Sequence, residues 1–209
     1  MTATPRSGTT GMVSAPYGTF LYQLDGSTST APPTTARQWK YATVTDTWVC
    51  ITAIPSPRMG GASGVGTVGT KMYVLDGTAT FGNLKNEVYD TATDTWVIKA
   101  SPPSDHRGGA VGQKNNKIYV AGGPLSNKVE AYDALADSWT SLHALPDTSP
   151  AQRVGLKGSF IGNAWYVAGG SNVNPTPGVL GADMITYKYS VTSNTWTTSA
   201  PRRRWPVVR

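Results

Sequence analysis

The segment YDALADSW at residues 132–139 is one of four copies of a pattern in which a tyrosine precedes a tryptophan by seven positions. The four tryptophans follow one another at distances of 48, 43 and 57 residues. Self-similarity at periods of roughly 20–50 residues is the signature of architectures built from repeated structural units. The sequence therefore predicts four repeats. The other copies are YATVTDTW (41–48), YDTATDTW (89–96) and YSVTSNTW (189–196).

Two further features recur upstream of each tyrosine. The nearer is an apolar segment that ends on glycine, and the farther is an arginine that often follows a proline. A constant order with joins of variable length is typical of units connected by loops. The apolar segments are LYQLDG (21–26), MYVLDG (72–77), IYVAGG (118–123) and WYVAGG (165–170), and the arginines are Arg6, Arg58, Arg107, Arg153 and, in a fifth position, Arg202.

The third repeat, residues 105–142, predicts four short strands at 108–112, 117–122, 127–133 and 137–142. Val, Ile, Tyr and Trp fill these segments, whereas Asn, Gly and Asp fill the breaks between them. No segment has the 3.6-residue period of a helix. We therefore predict an all-β fold in which the Tyr and Trp of each copy are hairpin neighbours. The Asp or Asn before each Trp is expected to bond the backbone ahead of it.

A single four-stranded sheet cannot bury both of its faces, so each repeat is expected to stack against the next one. A buried tryptophan removes roughly 150–250 Å² from water, and glycine allows a neighbouring ring to approach the backbone closely. We therefore expect structural roles for the repeated aromatic residues and for the double glycines. These residues are Tyr41, Trp48, Tyr89, Trp96, Tyr132, Trp139, Tyr189, Trp196, Gly122, Gly123, Gly169 and Gly170.

The order of an arginine, an apolar segment ending on glycine, and a tyrosine paired with a tryptophan resembles the kelch repeat. The likeness is closest over residues 58–196 and is recognisable over residues 6–48. It implies an all-β, kelch-type β-propeller with four four-stranded blades, in a single domain over residues 1–209. The implied blades are residues 6–52, 58–100, 107–145 and 153–200, and residues 201–209 resemble the start of a further first strand.

The number of blades in the closed ring stays open at this point. Kelch propellers usually have six or seven blades. Four repeats therefore fit a segment of a longer propeller, two copies that share one ring, or four blades that close alone. An open arc would expose two aromatic blade faces to water, and such faces favour association. A homodimer that completes a ring is thus among the expected partners.

Composition excludes several classes of function. The net charge is +6, but four of the 18 basic residues lie in residues 202–209, which leaves 14 basic against 12 acidic residues in the rest. A nearly neutral body lacks the extended basic surface that binds nucleic acid. No apolar run approaches the roughly 20 residues of a membrane span, and no signal peptide is recognised. We predict no nucleic-acid or membrane partner, and a cytoplasmic location if the chain is complete or an extracellular one if it is a fragment of an exported protein.

The sequence contains no recognisable catalytic or metal-binding constellation. His106 and His143 lack the spacing of metal ligands and are expected to be solvent-exposed loop residues. Cys50 is the single cysteine, which excludes an internal disulfide, and its position two residues after Trp48 predicts a half-buried core thiol. We therefore predict no catalytic residue, no metal and no cofactor, and hence a protein that is not an enzyme.

Four carboxylates recur at equivalent positions of the second and third repeats. Glu87 and Glu130 precede Asp90 and Asp133 by three residues. Recurrence at the repeat period gives equivalent carboxylates equivalent places on separate blades. We expect them to accept hydrogen bonds in turns or from adjacent blades rather than to act on a substrate.

The functional hypothesis rests on the arginines Arg6, Arg58, Arg107, Arg153 and Arg202. In a propeller they would begin successive innermost strands and form a partial ring at the channel entrance. Guanidinium groups suit carboxylates and phosphates, because they donate in a planar, bidentate geometry. In kelch adaptor proteins, such arginines and neighbouring loop residues bind partner peptides. The alternative is that each arginine bonds a carboxylate or carbonyl of the next blade.

The expected function is therefore a non-catalytic interaction module that binds a protein, acidic peptide or glycan at the channel mouth and inter-strand loops. Two long connections, residues 26–40 and 170–188, are candidate parts of this surface. The rival function is an enzyme of carbohydrate or sialic-acid type in a completed propeller. The resemblance admits a mutarotase-like enzyme or one similar to the central domain of galactose oxidase.

Overall fold

The computed structural model describes residues 13–24, 38–56, 64–75, 84–124, 126–146, 153–172, 181–182 and 185–199. Within these ranges every regular element is a β-strand, and no helix is present. Most strands have five residues, and nearly all of them carry β-branched or aromatic side chains, which fit a pleated and partly buried surface. The predicted all-β class is therefore confirmed.

The strands fall into four consecutive groups, which we call blades 1 to 4. Blade 1 contains β1 (Val13–Tyr17), β2 (Phe20–Leu24), β3 (Gln38–Ala42) and β4 (Thr47–Ile51). Blade 2 contains β5 (Gly64–Val68), β6 (Lys71–Leu75), β7 (Asn86–Asp90) and β8 (Thr95–Ile98). Blade 3 contains β9 (Ala110–Lys114), β10 (Lys117–Ala121), β11 (Val129–Asp133) and β12 (Ser138–Leu142). Blade 4 contains β13 (Arg153–Ile161), β14 (Ala164–Asn172), β15 (Gly181–Ala182), β16 (Thr186–Ser190) and β17 (Thr195–Ser199).

Each blade is an antiparallel meander of four strands, and β15 adds a short edge to blade 4 by pairing with β14. The four sheets are arranged as the four blades of a β-propeller. The first strands of the blades are innermost, because β1 contacts β5, β5 contacts β9 and β9 contacts β13. Among the described residues, no contact of comparable extent joins β13 to β1.

The pairing registers confirm the predicted tyrosine–tryptophan hairpins. In every blade the repeated tyrosine lies directly opposite the repeated tryptophan, with ring centroids 4.9–5.2 Å apart. The turn between them places an Asp or Asn in the left-handed region, which these two residue types tolerate better than most others. The register pairs are Tyr41–Trp48, Tyr89–Trp96, Tyr132–Trp139 and Tyr189–Trp196.

A hydrophobic core fills each of the three gaps between consecutive blades. Successive side chains of a strand point to opposite faces, so each blade offers one face to the preceding blade and one to the following blade. Between blades 2 and 3, for example, Tyr73 and Val88 pack with Ile118 and Val120. Burial between sheets therefore depends on repetition, as the sequence predicts.

Blade 4 presents a bulkier side chain to its neighbour than the other blades do. Trp165 is fully buried at the position occupied by Met72 and Ile118 in the preceding repeats. Its indole lies against Gly112 of blade 3 and Gly158 of its own blade, where an added Cβ would meet the ring at or below 3 Å. Small residues on both sides make room for the tryptophan.

Candidate ligand-binding site

Arg107 lies in the connection between β8 and β9, which joins blade 2 to blade 3. Its Nε donates to both carboxylate oxygens of Asp105, at 3.0 and 2.9 Å, and its Nη2 lies 2.8 Å from Asp105 Oδ2. The backbone N–H of Arg107 donates to the same carboxylate at 3.1 Å. Both side chains are partly exposed, at 18% and 20%. The loop therefore fixes the orientation of the guanidinium group, whose Nη2 atom is buried although the side chain as a whole is partly exposed.

His106 attaches this loop to the interior of blade 3. Its side chain is fully buried, so the prediction of a solvent-exposed loop histidine is wrong for His106, whereas His143 is exposed as expected. The Nδ1 atom of His106 lies 2.6 Å from the carbonyl oxygen of Gly122, and its Nε2 atom lies 3.0 Å from Glu130 Oε2. A carbonyl oxygen only accepts, so Nδ1 carries a proton and donates it to Gly122.

Glu130 completes the buried anchor from β11. Its Oε1 accepts a hydrogen bond of 2.8 Å from Ser104 Oγ, while its Oε2 faces His106. Burial acts to raise the pKa of the Glu130 carboxyl, but the hydrogen bonds from His106 and Ser104 outweigh burial and hold the pKa below its ordinary value. The expected acceptor role of Glu130 is confirmed, with donors in the loop that joins two blades.

The double glycine after β10 lets the loop approach. Gly123 has a φ of 127°, a conformation that L side chains rarely adopt. A Cβ on Gly123 would collide with the Asp105 carbonyl and lie 2.7 Å from His106 Cα. Gly122 supplies the carbonyl that binds His106. Gly122 and Gly123 therefore allow the arginine-bearing loop to pass close to the end of β10.

Among the described contacts, none joins another predicted arginine to this loop. Arg153 is the first residue of β13, at the inner side of blade 4. Arg6, Arg58 and Arg202 lie outside the described residues, as do most of the long connections 26–40 and 170–188. The arginine ring therefore stays a prediction.

The recurring aspartates serve the hairpin turns, whereas Glu87 is buried on β7. Asp90 Oδ1 accepts a hydrogen bond from the backbone of Ala92, and Asp90 Oδ2 forms an ion pair of 2.8 Å with Lys71. Asp133 accepts hydrogen bonds from the backbone of Leu135 and Ala136 in the same way. These residues, rather than the Asp or Asn before each Trp, bond the backbone ahead of them. The expectation about the residue before Trp is therefore wrong.

In blades 2 to 4, the Asp or Asn before the Trp instead joins two blades, a role that sequence reasoning missed. Asp94 Oδ1 accepts two hydrogen bonds. One, of 2.7 Å, comes from Tyr89 Oη, and the other, of 2.9 Å, comes from the backbone N–H of Thr52 in the preceding blade. Trp96 Nε1 donates to the Thr52 carbonyl at 2.8 Å. We call the Tyr, the Asp or Asn, and the Trp of one such hairpin a junction clamp. The residue of the preceding blade whose backbone the clamp binds is called the clamped residue. The clamps are Tyr89–Asp94–Trp96, Tyr132–Asp137–Trp139 and Tyr189–Asn194–Trp196, with clamped residues Thr52, Ala100 and His143.

The junction clamp explains perturbed ionisation at the blade edges. Burial acts to raise the pKa of Asp94, but hydrogen bonds from Thr52 and Tyr89 outweigh it, and the charge of Lys40 on blade 1 adds to the lowering. Burial raises the pKa of Tyr189 to about 12. The recurrence of Asp or Asn two residues before every Trp is the sequence signal that marks this role.

Cys50 differs from its prediction. It lies on β4 with an exposed side chain, so the expected half-buried core thiol is wrong. Within the described ranges, no three His, Cys, Asp or Glu residues are grouped as metal ligands. The same part of the chain contains no helix with the length and apolar character needed to cross a membrane.

Comparison with known proteins gives no assignment, since no family model matches the chain and no match is found among curated proteins.

Proposed function

We propose that the chain is a kelch-type propeller that acts as a non-catalytic interaction module and binds an acidic ligand through Arg107 and its loop. The observation that carries this proposal is the fixed orientation of the Arg107 guanidinium, which donates to Asp105 at 2.9–3.0 Å, on a side chain that is 18% exposed. A guanidinium held in place loses less conformational freedom when it binds a carboxylate. Protein, acidic peptide and glycan ligands all carry suitable groups.

The buried anchor supports a binding role rather than a catalytic one. Both ring nitrogens of His106 face hydrogen-bond partners, and the side chain has no exposed surface. A general acid or base must reach the substrate proton directly or through one water. His106 therefore positions the loop. The kelch assignment itself is supported by the order of the repeat elements and by the use of Gly122–Gly123 as the passage for this loop.

The test is binding of a fluorescent poly-glutamate peptide to the wild type and to Arg107→Ala. Hydrogen bonds to charged groups contribute about 1.5–3 kcal/mol, so we expect affinity to fall by roughly 10- to 100-fold. The melting temperature should change little, because a partly exposed ion pair contributes only about 0.2–1 kcal/mol. Arg58→Ala tests whether a second arginine of the predicted ring contributes.

The matched control is Lys128→Ala, which removes a positive charge from an exposed residue of blade 3 outside this loop. Equal loss of affinity in Arg107→Ala and Lys128→Ala would indicate unspecific attraction and contradict the proposal. A large fall in melting temperature for Arg107→Ala would assign the residue a structural role instead.

A further inference from the structure

Blade 1 carries a junction clamp for which the described part of the chain supplies no clamped residue. Tyr41 Oη donates to Asp46 Oδ1 at 2.7 Å, and the Tyr41 and Trp48 rings lie 5.0 Å apart, as in the occupied clamps. Among the described residues, no backbone of a preceding blade donates to Asp46, and no acceptor lies within hydrogen-bond distance of Trp48 Nε1. The clamp of blade 1 therefore has the geometry of the occupied clamps without a clamped residue among the described residues.

The face of blade 1 around this clamp is built like an interface between blades. Leu21 occupies the position of Ile118, and Tyr41 the position of Tyr132. Ile118 and Tyr132 are 0% exposed against blade 2, whereas Leu21 and Tyr41 are both partly exposed. Apolar side chains that are buried in one repeat thus meet solvent in another. Among the described residues, no other blade covers this face.

Blade 4 has the complementary face. Tyr166 and Ala168 occupy the positions at which Tyr119 and Ala121 of blade 3 face blade 4. Tyr119 and Ala121 are 5% and 0% exposed, whereas Tyr166 and Ala168 are partly exposed. Blade 4 therefore offers the face that a following blade would cover, and blade 1 offers the face that a preceding blade would cover.

Charge matches across these two faces as it does at existing junctions. Lys40 on blade 1 lies over the Phe20 ring at 5.3 Å and acts on Asp94, the clamp carboxylate of blade 2. Lys99 on blade 2 pairs with Asp137, the clamp carboxylate of blade 3, at 3.2 Å. A lysine on one blade thus faces the clamp carboxylate of the next.

Lys188 repeats this arrangement on the uncovered face of blade 4. It occupies the register position of Lys40, opposite Tyr166 as Lys40 is opposite Tyr22, and it lies over the Tyr166 ring at 5.9 Å. Its side chain is exposed. The carboxylate that it would meet on a following blade is that of Asp46.

We propose that blade 4 of one copy packs on blade 1 of a second copy, head to tail, so that two chains close one eight-bladed ring. The new interface continues the existing ones, with Lys188 of one copy facing Asp46 of the other. Within one chain, β13 and β1 make no contact of comparable extent among the described residues. A head-to-tail interface gives a closed ring when its rotation closes, and propellers close with about 4–8 blades, a range that admits two copies and excludes three.

The test is the solution mass of the wild type and of two charge-reversal variants, measured by light scattering during size-exclusion chromatography. We expect the wild type at about twice the 22.1 kDa of one chain. Asp46→Lys and Lys188→Glu should each lower the mass to that of one chain, because both interfaces of the ring place like charges together. Lys128→Glu makes the same charge change as Lys188→Glu, but on blade 3, away from the proposed interface faces of blades 1 and 4. It should leave the dimer intact.

An equimolar mixture of the two variants decides between contact within a chain and contact between chains. In a mixed dimer, one interface pairs wild-type Lys188 with wild-type Asp46, and the other pairs the two reversed charges. We therefore expect the mixture to regain the dimer mass, which closure within a single chain cannot produce. A wild-type mass of one chain, a polydisperse polymer, or a mixture that stays monomeric would each overturn the proposal. None of these outcomes bears on ligand binding by Arg107.

Discussion

The gap between blades 2 and 3 and the gap between blades 3 and 4 are the same structural position filled in two ways. In the first, Ile118 of blade 3 packs against Gly66 of blade 2, with Val111 on its own inner strand. In the second, Trp165 takes the place of Ile118, and Gly158 takes the place of Val111. A larger side chain in one strand is accompanied by a smaller one in the next. Blade spacing therefore constrains the total volume of the gap more than the identity of each residue.

The two gaps also differ in polarity. The clamp of blade 3 uses the carboxylate of Asp137, whereas that of blade 4 uses the amide of Asn194. Both groups accept from a tyrosine hydroxyl and from a backbone N–H, at almost the same distances. Phe160 stacks on Trp165 with an interplanar angle of 10°, which adds aromatic contact where the charge is missing. The two junctions thus differ in both packing and charge.

The largest expected effect comes from removing the side chain that distinguishes the fourth blade. Trp165→Ala should lower the free energy of unfolding by about 3–5 kcal/mol, because the fully buried ring leaves a cavity between two blades. Urea titration would measure the loss. Trp165→Ile should cost less, since it installs the side chain that blade 3 uses.

The effect of Gly158→Val on stability should change sign between the wild type and the Trp165→Ile variant. In the wild type the new Cβ would lie 3.0 Å from the Trp165 ring at Cε2, so the substitution should destabilise. In the Trp165→Ile background the same valine reproduces the Ile118–Val111 pair and should stabilise. Additive effects of the two substitutions would show that the volumes of the two sites are not coupled.

A smaller effect is expected from the clamp hydroxyls. Tyr132→Phe removes a 2.7 Å hydrogen bond to the carboxylate of Asp137, and Tyr189→Phe removes one of 2.8 Å to the amide of Asn194. Bonds to charged groups contribute about 1.5–3 kcal/mol and neutral ones about 0.5–1.5, so Tyr132→Phe should destabilise more. The same urea titration checks the ranking. Equal losses would mean that charge does not strengthen this clamp.

The smallest effect is the pH dependence of the charged clamp. Backbone donation from Ala100, followed by the hydrogen bond from Tyr132, holds the pKa of Asp137 below its ordinary value of 3.8. A lowered pKa stabilises the folded state above that ordinary value, and this stability is lost as the pH falls through the folded-state pKa. Asp137→Asn should therefore have a lower free energy of unfolding than the wild type at neutral pH, and this difference between the two proteins should become smaller in acid. Unfolding midpoints measured for both proteins across this range test it, and a constant gap would contradict the titration of Asp137.

Residues that repeat were predictable, and residues that occur once were not. The hairpin partners Tyr132 and Trp139 recur at one spacing in every blade, so their register follows from the pattern. His106 has no counterpart in other repeats, and its buried contacts with Gly122 and Glu130 depend on how one loop crosses a double glycine. Cys50 was misplaced because proximity to Trp48 along a strand does not tell which face is covered.

The junction clamp shows the limit of pattern reasoning at a repeated position. Asp94 was recognised as a turn residue, and its left-handed φ of 55° agrees with that role. Its two donors, however, lie in different blades. A single sequence contains the recurrence but not the partner, because Thr52 stands 42 residues away and shares no motif with Asp94.

The sequence by itself determined the strands, the hairpins and the four-fold repetition of this protein, because these depend on local side-chain alternation and on spacing along the chain. Tertiary structure alone decided what each repeated face touches. It placed His106 in a buried anchor and set Arg107 against Asp105, and among the described residues no blade covers one face of blade 1 and one face of blade 4. Burial and hydrogen bonding between blades join residues far apart in the chain, so they depend on how sheets stack rather than on any local pattern.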